Sequence, residues 1–175
     1  MKKTKLDANF IWGVSCSAYQ IEGAESEDGR DDSILDSKFT KGKVLGDMNG
    51  KIACDHYHRY KEDIALLKEL GIKNYRFSSW TRIFRDGIGE VNLKGVEFYK
   101  DLVNRLIAAD ITPWVTLFHW DLPYKLYEKG GYLNPEISDW FAIYAKSIVD
   151  IFGEKVNNYI IMNEPQCIVE EGHFM

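Results

Sequence analysis

The sequence is short of the residues that mark the extreme protein classes. Proline numbers four and cysteine three in 175 residues. That excludes a collagen-like rod or a proline-rich linker, and the balance of apolar and charged residues excludes a disordered tail. The three cysteines, Cys16, Cys54 and Cys167, are odd in number and lack CxxC spacing, unlike a disulfide-stapled secreted scaffold. No run of about eighteen apolar residues occurs, so no segment reads as a membrane-spanning helix. Basic residues are also in deficit, 22 Lys and Arg against 27 Asp and Glu, for a net charge of −5. The cluster Lys2, Lys3 and Lys5 is too short for a nucleic-acid stripe, and neither a nucleic acid nor a membrane is expected as a partner. The apolar stretch that follows, Phe10 to Val14, is shorter than the roughly 7–15 residues of a signal core, so a cytoplasmic protein is expected. Apolar residues make up 45% of the chain, enough for one packed domain of average size.

Periodicity supplies the elements. Strands are predicted at Phe10–Val14, Asn74–Ser78, Thr112–Phe118 and Tyr159–Met162. The third is almost continuously apolar, which suits a parallel strand covered on both faces. Tyr57, Tyr60, Ile64, Leu67 and Leu70 recur at spacings of three and four, an amphipathic helix stopped by Gly71. Val96 to Ile107 marks a second helix. Asn134-Pro135 predicts the start of a third, with Asn as N-cap and Pro at the first helical position, running to Gly153. Gly23 to Gly50 reads as a long loop with a short helix near Asp32–Lys38. Strand and helix alternating three times before a fourth strand argues for a parallel sheet with right-handed crossovers. Two α/β architectures fit: an open doubly wound sheet, which the length favours, and half of a (β/α)₈ barrel.

The polar residues discriminate between them. In parallel α/β folds chemistry sits at the C-terminal ends of strands. Here those ends carry Ser15, Ser17, Tyr19, Gln20 and Glu22, then Arg76, Ser78 and Trp80, then His119-Trp120-Asp121, then Asn163-Glu164-Pro165. No G-x-G-x-x-G or G-x-x-x-x-G-K-[ST] turn is present, which removes the main support for a nucleotide site. Amides, an Arg, a His, indoles and a carboxylic acid suit a sugar, whose hydroxyls need donors and acceptors and whose C–H faces stack on rings. Asp55, His56 and His58 lack the i, i+4 spacing that puts two His on one helical face; they are read as capping and bracing the first long helix, and no metal or cofactor is expected.

Five blocks in order resemble those of family 1 of the glycoside hydrolases, the β-glucosidase family. They are Trp12-Gly13 with Ser17-Ala18-Tyr19-Gln20-Ile21-Glu22-Gly23, Ala53-Cys54-Asp55-His56-Tyr57-His58-Arg59-Tyr60, Arg76-Phe77-Ser78, His119-Trp120-Asp121-Leu122-Pro123 and Asn163-Glu164-Pro165. The resemblance runs from Phe10 to the C-terminus and implies a (β/α)₈ TIM barrel. Residues 1–175 would be a single partial domain, its N-terminal half, with the first four strands and three helices.

The resemblance also implies an activity: retaining hydrolysis of terminal β-D-glucosyl residues from a small β-glucoside or oligosaccharide. By resemblance Glu164 is the acid/base, which protonates the glycosidic oxygen and later deprotonates water. That task needs a carboxyl held protonated near neutral pH. Asn163 resembles the contact to the sugar 2-hydroxyl. Gln20, His119 and Trp120 resemble contacts to the non-reducing end of the glycone, and Arg76 the cation beside the nucleophile carboxylate. That nucleophile is a Glu on a strand of the second half-barrel, and no Glu here matches its motif. The chain is therefore expected to be catalytically incomplete alone. The alternative is a non-catalytic half-barrel that binds sugar or oligomerises, and open barrel edges imply a homo-oligomer. His119-Trp120-Asp121-Leu122-Pro123 resembles the members acting on plain rather than phosphorylated glucosides. Two departures stand out. Arg76-Phe77-Ser78-Ser79-Trp80-Thr81-Arg82 is one residue shorter than usual with Thr81 for Pro, and Leu35 stands where Trp is common.

Overall fold

The structure, a computed structural model, describes residues 6–36 and 49–173. Four parallel strands lie in the order β1-β2-β3-β4: β1 Val14–Ser15, β2 Asn74–Ser78, β3 Thr112–Phe118 and β4 Asn158–Met162. Three long helices separate them or their turns: α2 His56–Glu69, α3 Leu93–Ala108 and α5 Ile137–Phe152. Three shorter ones, α1 Ala18–Ile21, α4 Tyr124–Glu128 and α6 Pro165–His173, follow the ends of β1, β3 and β4. Every neighbour in the sheet is also the next strand in sequence, as consecutive crossovers of one hand require.

Strands β2 and β3 lie where the sequence puts them, and they pair in register from Asn74 with Thr112 to Ser78 with Thr116. The first strand does not. It is Val14–Ser15, paired with Tyr75 and Arg76, while Ile11 and Trp12 remain 60% and 67% exposed. An aromatic run carries strand propensity, but pairing reaches only the residues that face β2. The third long helix begins at Ile137 rather than at Pro135. The Asn134 Oδ1 accepts the Glu136 N–H at 2.9 Å, so Asn134 builds a turn before the helix instead of capping it. Of the short helix expected near Asp32–Lys38, the described part is a bridge from Ser33 to Pro123 followed by turns. Its last two positions lie outside the described residues.

One core joins the sheet to α3 and α5. Helix α3 buries Tyr99, Leu102, Val103 and Leu106, and Tyr99 stacks on Phe77 of β2 at 6.1 Å. Helix α5 buries Tyr144, Ile148 and Phe152. The shortened corner after β2 is closed tightly. Trp80 is fully buried, stacks on Tyr144 at 4.5 Å and 3°, and donates its Nε1–H to the Gly87 carbonyl at 3.2 Å. Two residues on, the buried Arg82 Nε donates to Glu22 Oε2 at 2.7 Å. Its Nη2 reaches the carbonyls of Gly23 and Ala24, and the guanidinium lies 4.0 Å from the Tyr57 ring centre. Tyr99 Oη donates to the other Glu22 oxygen at 2.7 Å. This cluster ties the loop after α1 to the corner after β2 and to α3. Gly95 lies against the same corner: a Cβ there would sit 1.9 Å from the Arg82 carbonyl oxygen.

Candidate active site

The site is built at the C-terminal ends of the strands, where the backbone turns away and side chains converge. Arg76 stands on β2 opposite Trp114 and leans toward the strand ends. Its Nε donates to Thr116 Oγ1 at 2.6 Å and its Nη2 to Asn163 Oδ1 at 2.7 Å. Asn163 follows β4 and is held at its own backbone by an N–H bond to the Phe118 carbonyl at 2.9 Å. Its carbonyl accepts the Trp120 Nε1–H at 3.1 Å. A single hydrogen-bonded chain thus crosses β2, β3 and β4 and joins three of the residues singled out by sequence: Arg76, Trp120 and Asn163.

His119 and Glu164 flank that chain. The His119 ring lies 5.7 Å from the Trp120 ring, edge to face, and its buried Nδ1 has no hydrogen-bond partner among the described residues. Burial lowers the His119 pKa below the usual value, and the Arg76 charge adds to this against the opposing pull of Glu164. The neutral imidazole is therefore favoured. Glu164 directly follows Asn163 with φ +42°, and its side chain is exposed at the mouth. Trp120 also has a positive φ, +68°. Both are residues with long side chains in a backbone region that favours glycine. Gln20 is exposed on α1, above the end of β1, and takes no part in the Arg76–Asn163 chain.

Two residues at the site carry no motif role. Thr116 is fully buried and accepts the Arg76 Nε–H. A hydroxyl between Val115 and Leu117 in an apolar strand is the one sequence signal for it. Asp121 is 1% exposed; its Oδ1 accepts the His119 backbone N–H at 3.3 Å and its Oδ2 is unpartnered among the described residues. Burial raises its pKa to about 6. Beside Trp120 opens an apolar cleft of about 590 Å³, lined among others by Leu35, Tyr127, Tyr132 and Ile168. Leu35, one of the two departures noted in the sequence, forms part of its wall.

The histidines of the Asp55-His56-Tyr57-His58 block are engaged elsewhere. His56 Nδ1 pairs with Asp63 Oδ2 at 2.6 Å, and His58 sits between Asp55 and Glu27. Bracing of α2 is therefore present, but capping is not: Asp55 makes no side-chain bond to the helix N–H groups. Among the described residues no group of three or more His, Cys, Asp or Glu is placed to hold a metal ion. Among them, too, no helix is long and apolar enough to cross a membrane.

Comparison with known proteins matches this architecture. The family model "Glycosyl hydrolase family 1" matches residues 2–175. Beta-glucosidase A of Acetivibrio thermocellus is 48% identical over 100% of this chain and 40% of its own length. Beta-glucosidase 42 of Arabidopsis thaliana is 49% identical over 98% of this chain and 36% of its own length. The structure of a β-glucosidase from Thermotoga maritima in complex with deoxynojirimycin superposes with a TM-score of 0.93 at 47% identity, covering 97% of this chain and 39% of that one. The chain spans about 40% of the length of the curated relatives it matches, and its four-stranded sheet is the corresponding part of their barrel rather than an open doubly wound sheet. The chain belongs to glycosyl hydrolase family 1.

Proposed function

We propose that the chain supplies the acid/base carboxyl and part of the glycone site of a retaining β-glucosidase acting on terminal β-D-glucosyl residues. The observation that carries the reading is the Arg76–Asn163 bond with Glu164 projecting from the next residue. In this reading Glu164 protonates the glycosidic oxygen as the bond to the leaving group breaks, then removes a proton from the water that hydrolyses the glycosyl–enzyme intermediate. Asn163 binds the 2-hydroxyl, a contact that strengthens as the oxocarbenium-like transition state forms. His119, Trp120 and Gln20 hold the non-reducing end of a small β-glucoside or oligosaccharide of the plain, unphosphorylated kind. Arg76 fixes an ionised carboxylate beside it by charge. Retention requires a second carboxylate about 5–5.5 Å from Glu164. The three cysteines are free thiols, which supports a cytoplasmic location in the same reading.

The test is hydrolysis of an aryl β-glucoside by the purified chain, with Glu164→Gln as control. Turnover abolished by the Gln variant supports the role of Glu164 and requires that a second carboxylate reach it. Turnover that survives in Glu164→Gln refutes it.

A second reading, a non-catalytic half-barrel that self-associates, is supported by the edge strands. Among the described residues β1 and β4 each pair on one side only, and Val14 and Ile161 are 37% and 64% exposed on them. Inactive wild-type protein that forms a dimer in light scattering at micromolar concentration favours this reading; a monomer counts against it.

A further inference from the structure

We propose that Thr116 is a positioning residue, whose hydroxyl holds the Arg76 guanidinium so that Arg76 in turn fixes which face of the Asn163 amide meets the ligand. Three distances carry the argument. Arg76 Nε donates to Thr116 Oγ1 at 2.6 Å, Arg76 Nη2 donates to Asn163 Oδ1 at 2.7 Å, and the Asn163 N–H donates to the Phe118 carbonyl at 2.9 Å. Thr116 is fully buried in the centre of β3, so its hydroxyl is fixed by the sheet register that sets Ser78 against Thr116 and Trp114 against Asn158.

A guanidinium has only donors, so the Asn163 atom bonded to it must be the carbonyl oxygen. The Asn163 Nδ2 hydrogens are then turned away from Arg76. They become the donors left for a ligand, and the hydroxyl they meet must accept. Asparagine amides are otherwise free to flip, and a flipped amide would offer an acceptor instead. Thr116 settles this from one strand away. Without its oxygen the Arg76 Nε–H is left unpaired in a half-buried position, and the side chain gains a reason to rotate toward solvent.

The functional consequence rests on the glycosidase reading, whereas the positioning does not, and the experiment separates the two. Thr116→Val removes the acceptor at nearly constant volume, and Thr116→Ser keeps it. The first readout is the Arg76 Nε–H signal in nitrogen-15 spectra of the whole chain, assigned by its disappearance in Arg76→Lys. In Thr116→Val its exchange with water is expected to rise at least about tenfold, and the Asn163 side-chain amide signals to shift, with both restored in Thr116→Ser. The second readout is binding of deoxynojirimycin by calorimetry, expected to weaken about tenfold in Thr116→Val and within about twofold of wild type in Thr116→Ser. Unchanged Arg76 and Asn163 signals in Thr116→Val overturn the proposal, even where the variant melts earlier. So does a Ser variant as impaired as the Val variant, which would mean that shape rather than the hydroxyl matters. Should wild-type protein bind no deoxynojirimycin, the glycosidase reading fails for this chain, and the positioning is decided by the spectra alone.

Discussion

Arg82→Ala removes one side chain from a cluster with no solvent to replace it. The guanidinium is 1% exposed and holds the Glu22 carboxylate at 2.7 Å, the Gly23 carbonyl at 2.7 Å and the Ala24 carbonyl at 3.2 Å. After truncation Glu22 keeps the Tyr99 hydroxyl on one oxygen, and the other oxygen is stranded in the interior. Breaking a buried pair from one side costs about 3–5 kcal/mol, mostly from the charge left behind. Loss of the contact to the Tyr57 ring adds to this. Total stability of a domain is about 5–15 kcal/mol, so the variant forfeits about a fifth or more of it. For a chain of this size the unfolding midpoint should fall by roughly 6–20 °C. Thermal and urea unfolding followed by circular dichroism would measure it. A companion double variant, Glu22→Gln with Arg82→Met, should lose clearly less than the two single losses added, because no charge is left unpaired. A loss for Arg82→Ala under about 1 kcal/mol, the range of an exposed ion pair, would refute the reasoning.

Two further outcomes follow from burial and close approach. Gly95→Ala should destabilise by about 1–3 kcal/mol, the reverse of the usual helix trend, because the new Cβ would meet the Arg82 carbonyl oxygen at 1.9 Å; a raised melting temperature would show that the corner yields freely. Asp121 holds its proton more tightly in the folded chain, to about 6 from 3.8, so its contribution to stability is fullest at low pH and is lost as pH rises through that window. Glu22 and Arg30 face it with opposing effects. Relative to wild type, Asp121→Asn should gain on the order of 3 kcal/mol between about pH 4 and pH 7 in denaturant titrations. Parallel pH profiles for the two proteins would exclude this.

Legibility in the sequence tracked how local each cause is. β2 and β3 are readable because an alternating segment and an apolar run are each bounded by helix signals, and the two pair over five positions. The expected β1 differs from the observed one because the aromatic run Phe10–Trp12 has strand character without a strand partner. Helices α1 and α4, of four and five residues, are too short to show a period. α6 carries a start signal, Pro165 at its first position, but too little chain follows to show a period. At the site, Arg76, His119, Trp120, Asn163 and Glu164 were marked by motif blocks. Thr116 was not, since a β-branched residue in a strand needs no special reason. The Glu22–Arg82 pair spans 60 residues, and nothing in spacing alone links its ends.

Seven non-glycine residues in the described chain have a positive φ, and five of them are Ala or Asp. The two with long side chains are Trp120 and Glu164, at the mouth of the strands. Such a conformation costs about 1 kcal/mol or more for residues of this kind, and glycine would release it. Selection for heat resistance alone would therefore push the exposed position 164 toward glycine, whereas at 120 the ring packed on the core and bonded to the Asn163 carbonyl outweighs the release. A random library of this chain, grown through rounds of thermal challenge with no sugar present, should collect glycine at 164 and lose the carboxyl. The persistence of that carboxyl in the natural sequence records a pressure other than endurance.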